Sequence, residues 1–310
     1  MKIIHGVHNF KPKSKPVALT LGFFDGVHRG HKLLIDKLIK TAKEIHGVSV
    51  VLTFDSHPLR IIAPDKLPPK IMTLTQRLEY LEELGVDHII VQPFDDKFAE
   101  ITADDFLNEI IRKRINAKAI IGGYDCHFGK NRKGNLNYLK KFAEKNNYIF
   151  HEVQPLTIDN TVVSSTEIRK AIQNGNFDLA EKFLGKPWTI RALVVKGHRV
   201  GRILGFPTAN LDVGFLILPK EGVYAAFAAV DDIRYNAIMY VGTRPTFDDK
   251  PANLVCEVYI TGFSDDLYGK RLTVRPIERL REDIKFDSME DLKKQISIDV
   301  NKSFEITNNK

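Results

Sequence analysis

Residues 22–31 read GFFDGVHRGH and join a β-type pattern to a helical one. Residues 17–23, which lead into this stretch, are apolar and β-prone. From residue 30 apolar residues recur at helical spacing until the chain reaches Gly47. The stretch therefore predicts a strand-to-helix turn. At the carboxyl end of a strand in an α/β sheet, glycine backbone and helix N-terminal N–H groups approach a phosphate closely, so the turn indicates nucleotide chemistry.

Two histidines, His28 and His31, stand on either side of Gly30 in this turn. Imidazole N–H groups placed there are suited to stabilising the charge that builds up on a pentavalent phosphorus. The alternative, in which both histidines only cap and pack the start of the helix, stays open at this point.

The composition is typical of an ordinary globular protein with two domains. The chain has 310 residues, of which 43% are hydrophobic and 27% charged. No apolar run is long enough to cross a membrane and the N-terminus lacks a signal-peptide pattern, so we expect a cytoplasmic protein. Cys126 and Cys256 lie far apart, which fits neither a disulfide framework nor a zinc site.

The formal net charge of +7 is spread along the chain and not concentrated in one patch. A small anionic ligand explains this charge as well as a nucleic acid does, and no RNA-binding signature is present. We therefore expect small-molecule substrates, no nucleic-acid or membrane partner, and a monomer or weak homo-oligomer.

Strand and helix patterns alternate through the first half, as a parallel doubly wound sheet requires. The predicted strands are 17–23, 48–54, 88–91, 117–121 and 148–153, and the predicted helices follow from residue 30 and at 75–84, 103–115 and 136–145.

Two further segments of this half carry candidate ligand contacts. The sequence GGYDCHFGKNRKG at 122–134 predicts a basic loop with Asp125, Phe128 and Arg132 as contacts, although a solvated loop above a packed Phe128 is the alternative. Hydroxyl groups of Ser164, Ser165 and Thr166 begin a predicted helix and favour an anion site, with Arg169 one turn further on; simple capping is the alternative.

A second domain begins where the helical pattern ends, near residues 184–187. Five strand patterns follow, at 190–195, 223–230, 234–241, 254–260 and 272–277, and they predict a small antiparallel barrel closed by an amphipathic helix from Ser288.

Within the predicted barrel, residues 197–210, GHRVGRILGFPTAN, suit a phosphate loop followed by metal ligands, although a connecting loop is the alternative. Glu257 interrupts an apolar strand. A carboxylate there either faces a cavity or loses hydration at a high cost, and service as a general base would account for it.

Taken together, these segments resemble the bacterial bifunctional riboflavin kinase/FMN adenylyltransferase (FAD synthetase) family over nearly the whole chain. The motifs occur in the family's order: GFFDGVHRGH, TFDSHP at 53–58, GYDCHFGKNRKG and SSTEIR at 164–169 resemble its adenylyltransferase module, and GFPTAN, EGVYA at 221–225, CEVYI and DLYGK at 266–270 resemble its kinase module.

The resemblance implies a Rossmann-like nucleotidyltransferase domain over 1–185 and a six-stranded Greek-key β-barrel kinase domain with a closing helix over 186–310. It implies that ATP and Mg²⁺ serve to convert riboflavin to FMN and FMN to FAD. His28, His31 and Glu257 are the implied catalytic residues, and Thr208 and Asn210 the implied metal ligands.

The same resemblance assigns two sets of binding residues. The nucleotide-binding set is Gly22, Phe23, Asp25, Gly26, Gly30, Ser164, Ser165, Thr166, Arg169, Gly197, Gly201, Gly205, Pro207, Thr208 and Asn210. The flavin-binding set is Asp55, His57, Pro58, Asp125, Phe128, Arg132 and Arg281.

Two positions depart from the family pattern in the kinase module. Ala192 stands where a glycine is usual, and Arg244 replaces an asparagine in RPTF. We expect Arg244 to weaken the kinase or to change its preference for the redox state of the flavin. Two alternatives stay open: an adenylyltransferase whose barrel only binds flavin, and a flavin or nucleotide sensor that touches RNA or DNA.

Overall fold

A computed structural model of the chain describes residues 1–12, 15–197, 200–231, 233–244 and 253–310. The polypeptide forms two compact units. The first comprises residues 1–68 and 74–165, and the second comprises residues 69–73 and 166–310.

The first unit is built from alternating strands and helices. Its strands are β1 Lys2–His5, β2 Val17–Leu21, β3 Val48–Phe54, β4 His88–Gln92, β5 Ala117–Gly123, β6 His127–Phe128, β7 Gly134–Asn135, β8 Ile149–Val153, β9 Thr157–Ile158 and β10 Thr161–Val162. Its helices are α1 Arg29–Glu44, α2 Leu59–Ile62, α3 Leu74–Glu83, α4 Asp96–Ala99, α5 Ala103–Asp105, the π-helix Phe106–Ile115 and α6 Leu136–Lys145, with 3₁₀ turns at Val7–Asn9, Pro64–Lys66 and Lys130–Arg132.

Six strands form a parallel sheet in the order β1-β4-β3-β2-β5-β8. From β2 the chain proceeds through β3 to β4 on one side and later returns to build β5 and β8 on the other. The strand order therefore reverses between β2 and β5. Ligands of open α/β sheets bind at the carboxyl ends of the strands at such a switch point.

The core of this unit follows from its apolar strands. All five residues of β2 are buried, and the side chains of Phe106, Leu107 and Leu139 pack in one cluster with Val17 and Leu19. Near-continuous apolar strands of this kind are typical of a parallel sheet that is covered on both faces.

Helix α1 packs against β2, β3 and β5 through a buried stripe that includes Ile35 and Leu38. Each such side chain contributes about 1.5–3 kcal/mol when it is fully buried. This packing fixes the helix that begins inside the histidine motif.

The second unit begins with two helices and continues as a barrel. Its helices are α7 Ser165–Gln173, which starts at the last residue of the first unit, α8 Phe177–Leu184, α9 Val200–Leu204 and α10 Met289–Asn308. Its strands are β11 Ile190–Val195, β12 Thr208–Asp212, β13 Gly222–Val230, β14 Ile233–Arg244, β15 Asn253–Ile260 and β16 Arg271–Arg281.

These six strands close a barrel in the order β11-β12-β15-β14-β13-β16. Strands β13, β14 and β15 are consecutive antiparallel neighbours, and β16 returns to lie beside β13, which is the Greek-key arrangement. The predicted fold class is therefore confirmed in both halves.

One strand of the barrel differs from the pattern-based prediction. Residues 208–212 form strand β12 and not a loop, so the barrel has one strand more than the five that periodicity indicated. Only Leu211 is fully buried among its five residues, which leaves no alternating apolar signal in the sequence.

Helix α10 closes the barrel, and it begins as predicted with Ser288 as N-cap, whose side chain accepts a hydrogen bond from the Asp291 N–H. Its buried face carries Asp299, Ser303 and Thr307, and the Ser303 hydroxyl donates to the Ala237 carbonyl at 2.9 Å. Polar side chains therefore make the buried contacts of this helix, whereas the apolar residues of its amphipathic pattern, Leu292, Ile296 and Val300, are only half-buried.

The two units do not coincide with the activity boundary that we predict at residues 185/186. Helix α8 and the residues of α7 after Ser165 fall in the second unit. The assignment of the two activities to 1–185 and 186–310 stays a prediction. No helix within the described part of the chain is both long and apolar enough to cross a membrane.

Candidate active sites

The histidine motif begins directly after β2, at the carboxyl end of the strand next to the switch point. We call residues 22–31 the switch-point turn. Its backbone is left-handed at Phe24 (φ 58°), Gly26 (φ 85°) and Val27 (φ 41°). A non-glycine residue in such a conformation costs on the order of 1–3 kcal/mol, and such residues cluster at functional sites.

His28 and His31 are stacked in this turn, with ring centroids 3.6 Å apart and ring planes 16° from parallel. His28 is buried and is the N-cap of α1, because its Nδ1 accepts a hydrogen bond from the His31 backbone N–H at 3.2 Å. Gly30 allows this close packing, since a Cβ there would lie 3.2 Å from the His28 ring. The capping interpretation thus holds for His28, and it also fixes the proton of the neutral ring on Nε2.

Other predicted residues of the first unit lie around the turn. Asp25 is buried, and its carbonyl accepts a hydrogen bond from the Ser165 hydroxyl at 2.9 Å. The His57 ring meets Phe23 edge-on at 4.6 Å, and Asp55 Oδ1 accepts from the Phe94 N–H at 3.2 Å. The structure therefore brings the loop after β3, which continues through Pro58 into α2, beside the turn.

The loop after β5 contains a two-strand hairpin, β6 and β7, which the sequence did not predict. Asp125 and Arg132 are exposed on this loop. Phe128 is buried in the core, with its ring centroid 5.4 Å from that of Phe106, and a Cβ at Gly134 would overlap it. In the structure Phe128 is thus packed beneath the loop, which is the alternative interpretation of this segment. A contact between Phe128 and flavin stays a prediction.

Four predicted contacts lie at the start of α7 or just before it. Ser164 and Ser165 belong to the first unit, whereas Thr166 and Arg169 belong to the second. Arg169 Nε donates to the Pro69 carbonyl at 2.7 Å, so this guanidinium is already held within the second unit.

Arg77 is a residue of the first unit that the sequence analysis did not identify. Arg77 is 3% exposed, and its guanidinium donates to the carbonyls of Phe23, at 2.7 Å, and Phe54. Burial lowers its pKa to about 10, and the carboxylates of Asp25 and Asp55 oppose that shift. A lone arginine in a helical pattern gives no signal for this role.

In the barrel, Thr208, Asn210 and Glu257 lie together on the adjacent strands β12 and β15. We call these three residues the barrel cluster. Thr208 Oγ1 donates to Glu257 Oε2 at 2.9 Å, and Asn210 stands directly opposite Glu257 in the strand register. Residues 208 and 210 share one face of β12 because side chains alternate along a strand.

Glu257 is half-buried, between the fully buried Cys256 and Val258. Its carboxylate points to the opposite face from the barrel core, so the predicted high cost of burying it does not arise. Burial, and to a lesser degree the nearby charge of Glu257, raises the pKa of the Cys256 thiol to about 12.

The glycines of segment 197–210 make room for this cluster. A Cβ at Gly197 would overlap the Asn210 amide, and one at Gly201 would overlap the Phe206 carbonyl. Gly205 is left-handed at φ 86° and leads through Pro207 into β12. Residues 198 and 199 of this predicted loop lie outside the described part of the chain.

Two other residues of the predicted kinase module have defined surroundings. Arg281 Nε donates to both carboxylate oxygens of Asp299, at 2.9 and 3.2 Å, so α10 holds this predicted flavin contact. Ala192 is buried on β11 opposite Leu272. Arg244 ends β14, and the rest of RPTF, residues 245–247, lies outside the described residues.

Comparison with known proteins matches both halves to enzyme families. The model of the FAD synthetase family matches residues 10–167, and the riboflavin kinase model matches residues 184–307. The bifunctional riboflavin kinase/FMN adenylyltransferase of Haemophilus influenzae is 36% identical over 97% of both chains, and that of Escherichia coli K12 is 34% identical over 96% of both.

A solved structure supports the fold of the whole chain. The crystal structure described as a macrolide-efflux protein from Streptococcus pneumoniae has a TM-score of 0.82 and 33% sequence identity, and it covers 96% of this chain and 97% of that one. The two family matches and the near full-length enzyme relatives agree in order with the sheet unit and the barrel unit. The chain therefore belongs to the bifunctional riboflavin kinase/FMN adenylyltransferase family, and it carries both activities, phosphorylation of riboflavin to FMN and adenylylation of FMN to FAD.

Proposed function

We propose that the two reactions take place at two separate sites, with FMN adenylylation at the switch-point turn and riboflavin phosphorylation at the barrel cluster. The observation that carries this proposal is the contact between Thr208 Oγ1 and Glu257, which gives the barrel a placed carboxylate of its own, in a different unit from the histidines. Each site then serves one phosphorus transfer.

In the kinase reaction, Glu257 acts as the general base. It accepts the proton of the riboflavin 5′-hydroxyl as that oxygen attacks the γ-phosphorus of ATP, and ADP leaves. The hydrogen bond from Thr208 orients the carboxylate for this transfer. The backbone of Gly197, Gly201 and Gly205 binds the phosphates beside the cluster.

The barrel cluster also fits a magnesium ion that is bound with ATP. Thr208 and Asn210 offer neutral oxygens on one strand face next to a carboxylate, a donor set suited to a hard cation that keeps phosphate and water ligands. Among the described residues no group of three or more His, Cys, Asp or Glu is placed to hold a metal by itself. The ion supplies charge neutralisation of the phosphates.

In the adenylylation reaction, a phosphate oxygen of FMN attacks the α-phosphorus of ATP and pyrophosphate leaves. The Nε2–H of His28 and the ring of His31 stabilise the charge on the phosphorus oxygens. Ser164, Ser165, Thr166 and Arg169 bind the leaving phosphates, and the loops carrying Asp55, His57, Pro58, Asp125, Phe128 and Arg132 bind the flavin.

We also propose that the protein acts in the cytoplasm as a monomer or weak homo-oligomer. Its two cysteines are free and buried, which supports a reducing compartment. Light scattering of the purified protein measures the assembly state.

One incubation tests the proposed function. Purified protein is mixed with riboflavin, ATP and Mg²⁺, and FMN and FAD are followed by chromatography; we expect FMN to appear first and FAD to follow. Replacement of His31 by alanine is expected to stop FAD formation and to leave FMN formation unchanged. A His31→Ala protein that makes FAD at the parental rate would contradict the assignment of the switch-point turn.

A further inference from the structure

Arg77 is a buried cation that the proposed reaction does not use directly. It lies near the start of α3, and its side chain is almost fully buried. Burying an arginine is costly unless partners match its charge and its N–H groups, and Nη1 and Nη2 of Arg77 both have such partners, whereas its buried Nε has none among the described residues. The partners of Arg77 therefore indicate what it does.

The guanidinium joins the carboxyl ends of two neighbouring strands. Nη1 donates to the Phe23 carbonyl just after β2, Nη2 donates to the Phe54 carbonyl at the end of β3, and the guanidinium carbon lies 4.2 Å from the centre of the Phe23 ring. Because the guanidinium is planar and rigid, its fork sets the separation of the two carbonyls. Thr53 Oγ1 donates to the same Phe23 carbonyl at 3.2 Å.

The charges around Arg77 come from the same two segments. Asp25 belongs to the switch-point turn and Asp55 to the loop after β3, and both carboxylates favour the charged guanidinium. With a pKa of about 10 the side chain stays positive at neutral pH. Its single positive charge thus attracts one carboxylate from each segment.

The carbonyl that Arg77 holds immediately precedes a strained backbone. Phe24 follows Phe23 with a left-handed φ of 58°, and Val27, a β-branched residue, has a φ of 41°. Such conformations persist where the surrounding contacts over-determine them. The two donors on the Phe23 carbonyl are contacts of this kind.

We propose that Arg77, together with Thr53, is a positioning residue for FMN adenylylation. It holds the turn that carries His28 and His31 at a fixed distance from the loop that carries Asp55 and His57. The inference rests on the proposed function of both segments. Arg77 acts through the Phe23 and Phe54 carbonyls and does not contact the reacting atoms.

The test compares both activities of the same chain in Arg77→Lys and Arg77→Met. Lysine keeps a positive charge but loses the fork, and methionine loses both. We expect kcat for FAD formation to fall on the order of 10²-fold in each variant, the effect of displacing catalytic groups by about 1 Å. FMN formation from riboflavin stays unchanged. Arg114→Lys, an exposed arginine of the π-helix, is the matched control and leaves both reactions unchanged.

A split between kcat and KM separates positioning from loss of folded protein. All variants are assayed well below their melting midpoints, where far-UV circular dichroism is native. Displacement of the flavin-side loop raises KM for FMN as kcat falls, whereas a smaller folded fraction lowers kcat alone. A fall in kcat without any change in KM therefore overturns the proposal.

The remaining outcomes also decide the question. Parental FAD formation in both Arg77 variants overturns the inference, provided that His31→Ala has lost that activity; if His31→Ala keeps it, the proposed function of the turn fails instead. Should neither Arg77 variant fold, Thr53→Val removes the second donor and Thr53→Ser retains it. If FAD formation is lowered in the valine variant alone, the positioning role of the contacts to the Phe23 carbonyl is supported. Equal rates of FAD formation in both variants overturn it.

Discussion

At the scale of single residues, Glu257 is a carboxylate that is firmly placed without being buried. Strand alternation directs Cys256 and Val258 into the barrel core and Glu257 to the other face, where Thr208 donates to it. The sequence identified the residue correctly as unusual within an apolar strand. It could not show on which face the carboxylate lies, because that depends on the pairing with β12.

Replacement of Glu257 by glutamine tests its role as general base. Glutamine has the same shape and still accepts the hydrogen bond from Thr208, so the barrel is expected to fold. We expect FMN formation to fall by about 10²- to 10⁴-fold, the usual contribution of a general base, while FAD formation from added FMN is unchanged.

The control for this change is Glu278→Gln, because Glu278 is exposed on β16 and lies outside the barrel cluster. Both reactions are measured separately, starting from riboflavin or from FMN. Loss of both activities in a folded Glu257→Gln protein would contradict the separation of the two sites.

We expect the thiols of Cys126 and Cys256 to be similarly unreactive in the folded protein. Burial, and to a lesser degree Asp125 near Cys126 and Glu257 near Cys256, raises the pKa of both thiols from 9.0 to about 12. Since the thiolate is the reactive form, we expect neither cysteine to react with a disulfide reagent at pH 8 in the folded protein and both to react in urea. Rapid labelling of a native thiol would contradict this.

The same raised pKa values predict a pH dependence of stability. Between pH 9 and pH 12 the folded state keeps thiol protons that the unfolded state releases. The free energy of unfolding therefore decreases as pH rises through this window. Urea unfolding at pH 8 and at pH 10 measures the difference, and Cys126→Ala is expected to reduce it.

At the scale of elements, the start of α1 combines two roles in His28, which caps the helix and belongs to the proposed active site. Asparagine is a good N-cap but lacks an imidazole, whereas alanine supplies neither. We expect His28→Asn to keep the melting midpoint near that of the parent while FAD formation is lost. His28→Ala is expected to lose activity and about 1 kcal/mol of stability.

Thermal unfolding and FAD formation are measured for both His28 variants. If His28→Asn retains parental activity, the histidine is only a cap. The pair of substitutions thus separates the two interpretations that the sequence left open.

The elements that could be predicted are those in which burial dominates. Strands β2 and β3 are continuous apolar runs, and the structure places β3 at the predicted residues 48–54. Strand β1 is largely exposed, and β12 has a single buried residue, so neither has a periodic signal. Their strand pairing is set by neighbours distant in sequence.

The candidate sites show the same limit. The spacing of two histidines around a glycine is a local pattern and was visible in the sequence. Arg77 looks like any surface arginine of a helix, because its carbonyl partners come from the ends of two other elements. Only the folded sheet shows that this side chain points inward. The pairing of Arg281 with Asp299 is likewise invisible in the sequence, because the two residues lie on different elements.

At the scale of the whole molecule, the chain enters the second unit twice. Residues 69–73 belong to that unit, where Lys70 pairs with Leu216 and the Ile71 carbonyl accepts the indole N–H of Trp188 at 3.0 Å. Trp188 is the single tryptophan, is buried, and stacks on Phe177 of α8. Its fluorescence therefore reports on this unit.

This arrangement predicts the result of cutting the chain. A fragment of residues 186–310 lacks both Phe177 and Ile71, so we expect its tryptophan emission to lie at longer wavelength than that of the full chain. A fragment of residues 166–310 regains Phe177 and is expected to show an intermediate emission. Identical emission from 186–310 and the full chain would show that these contacts do not matter to the barrel.

The order of strands around the barrel also has a consequence for synthesis on the ribosome. The barrel closes only when Ile190 pairs with Val274, whereas the parallel sheet has all its strands once Val153 has been made. The sheet unit, where we propose that adenylylation takes place, can thus complete its strands while the last strand of the barrel is still untranslated. A nascent chain that stalls before Arg271 is expected to finish FAD from imported FMN but to make no FMN of its own.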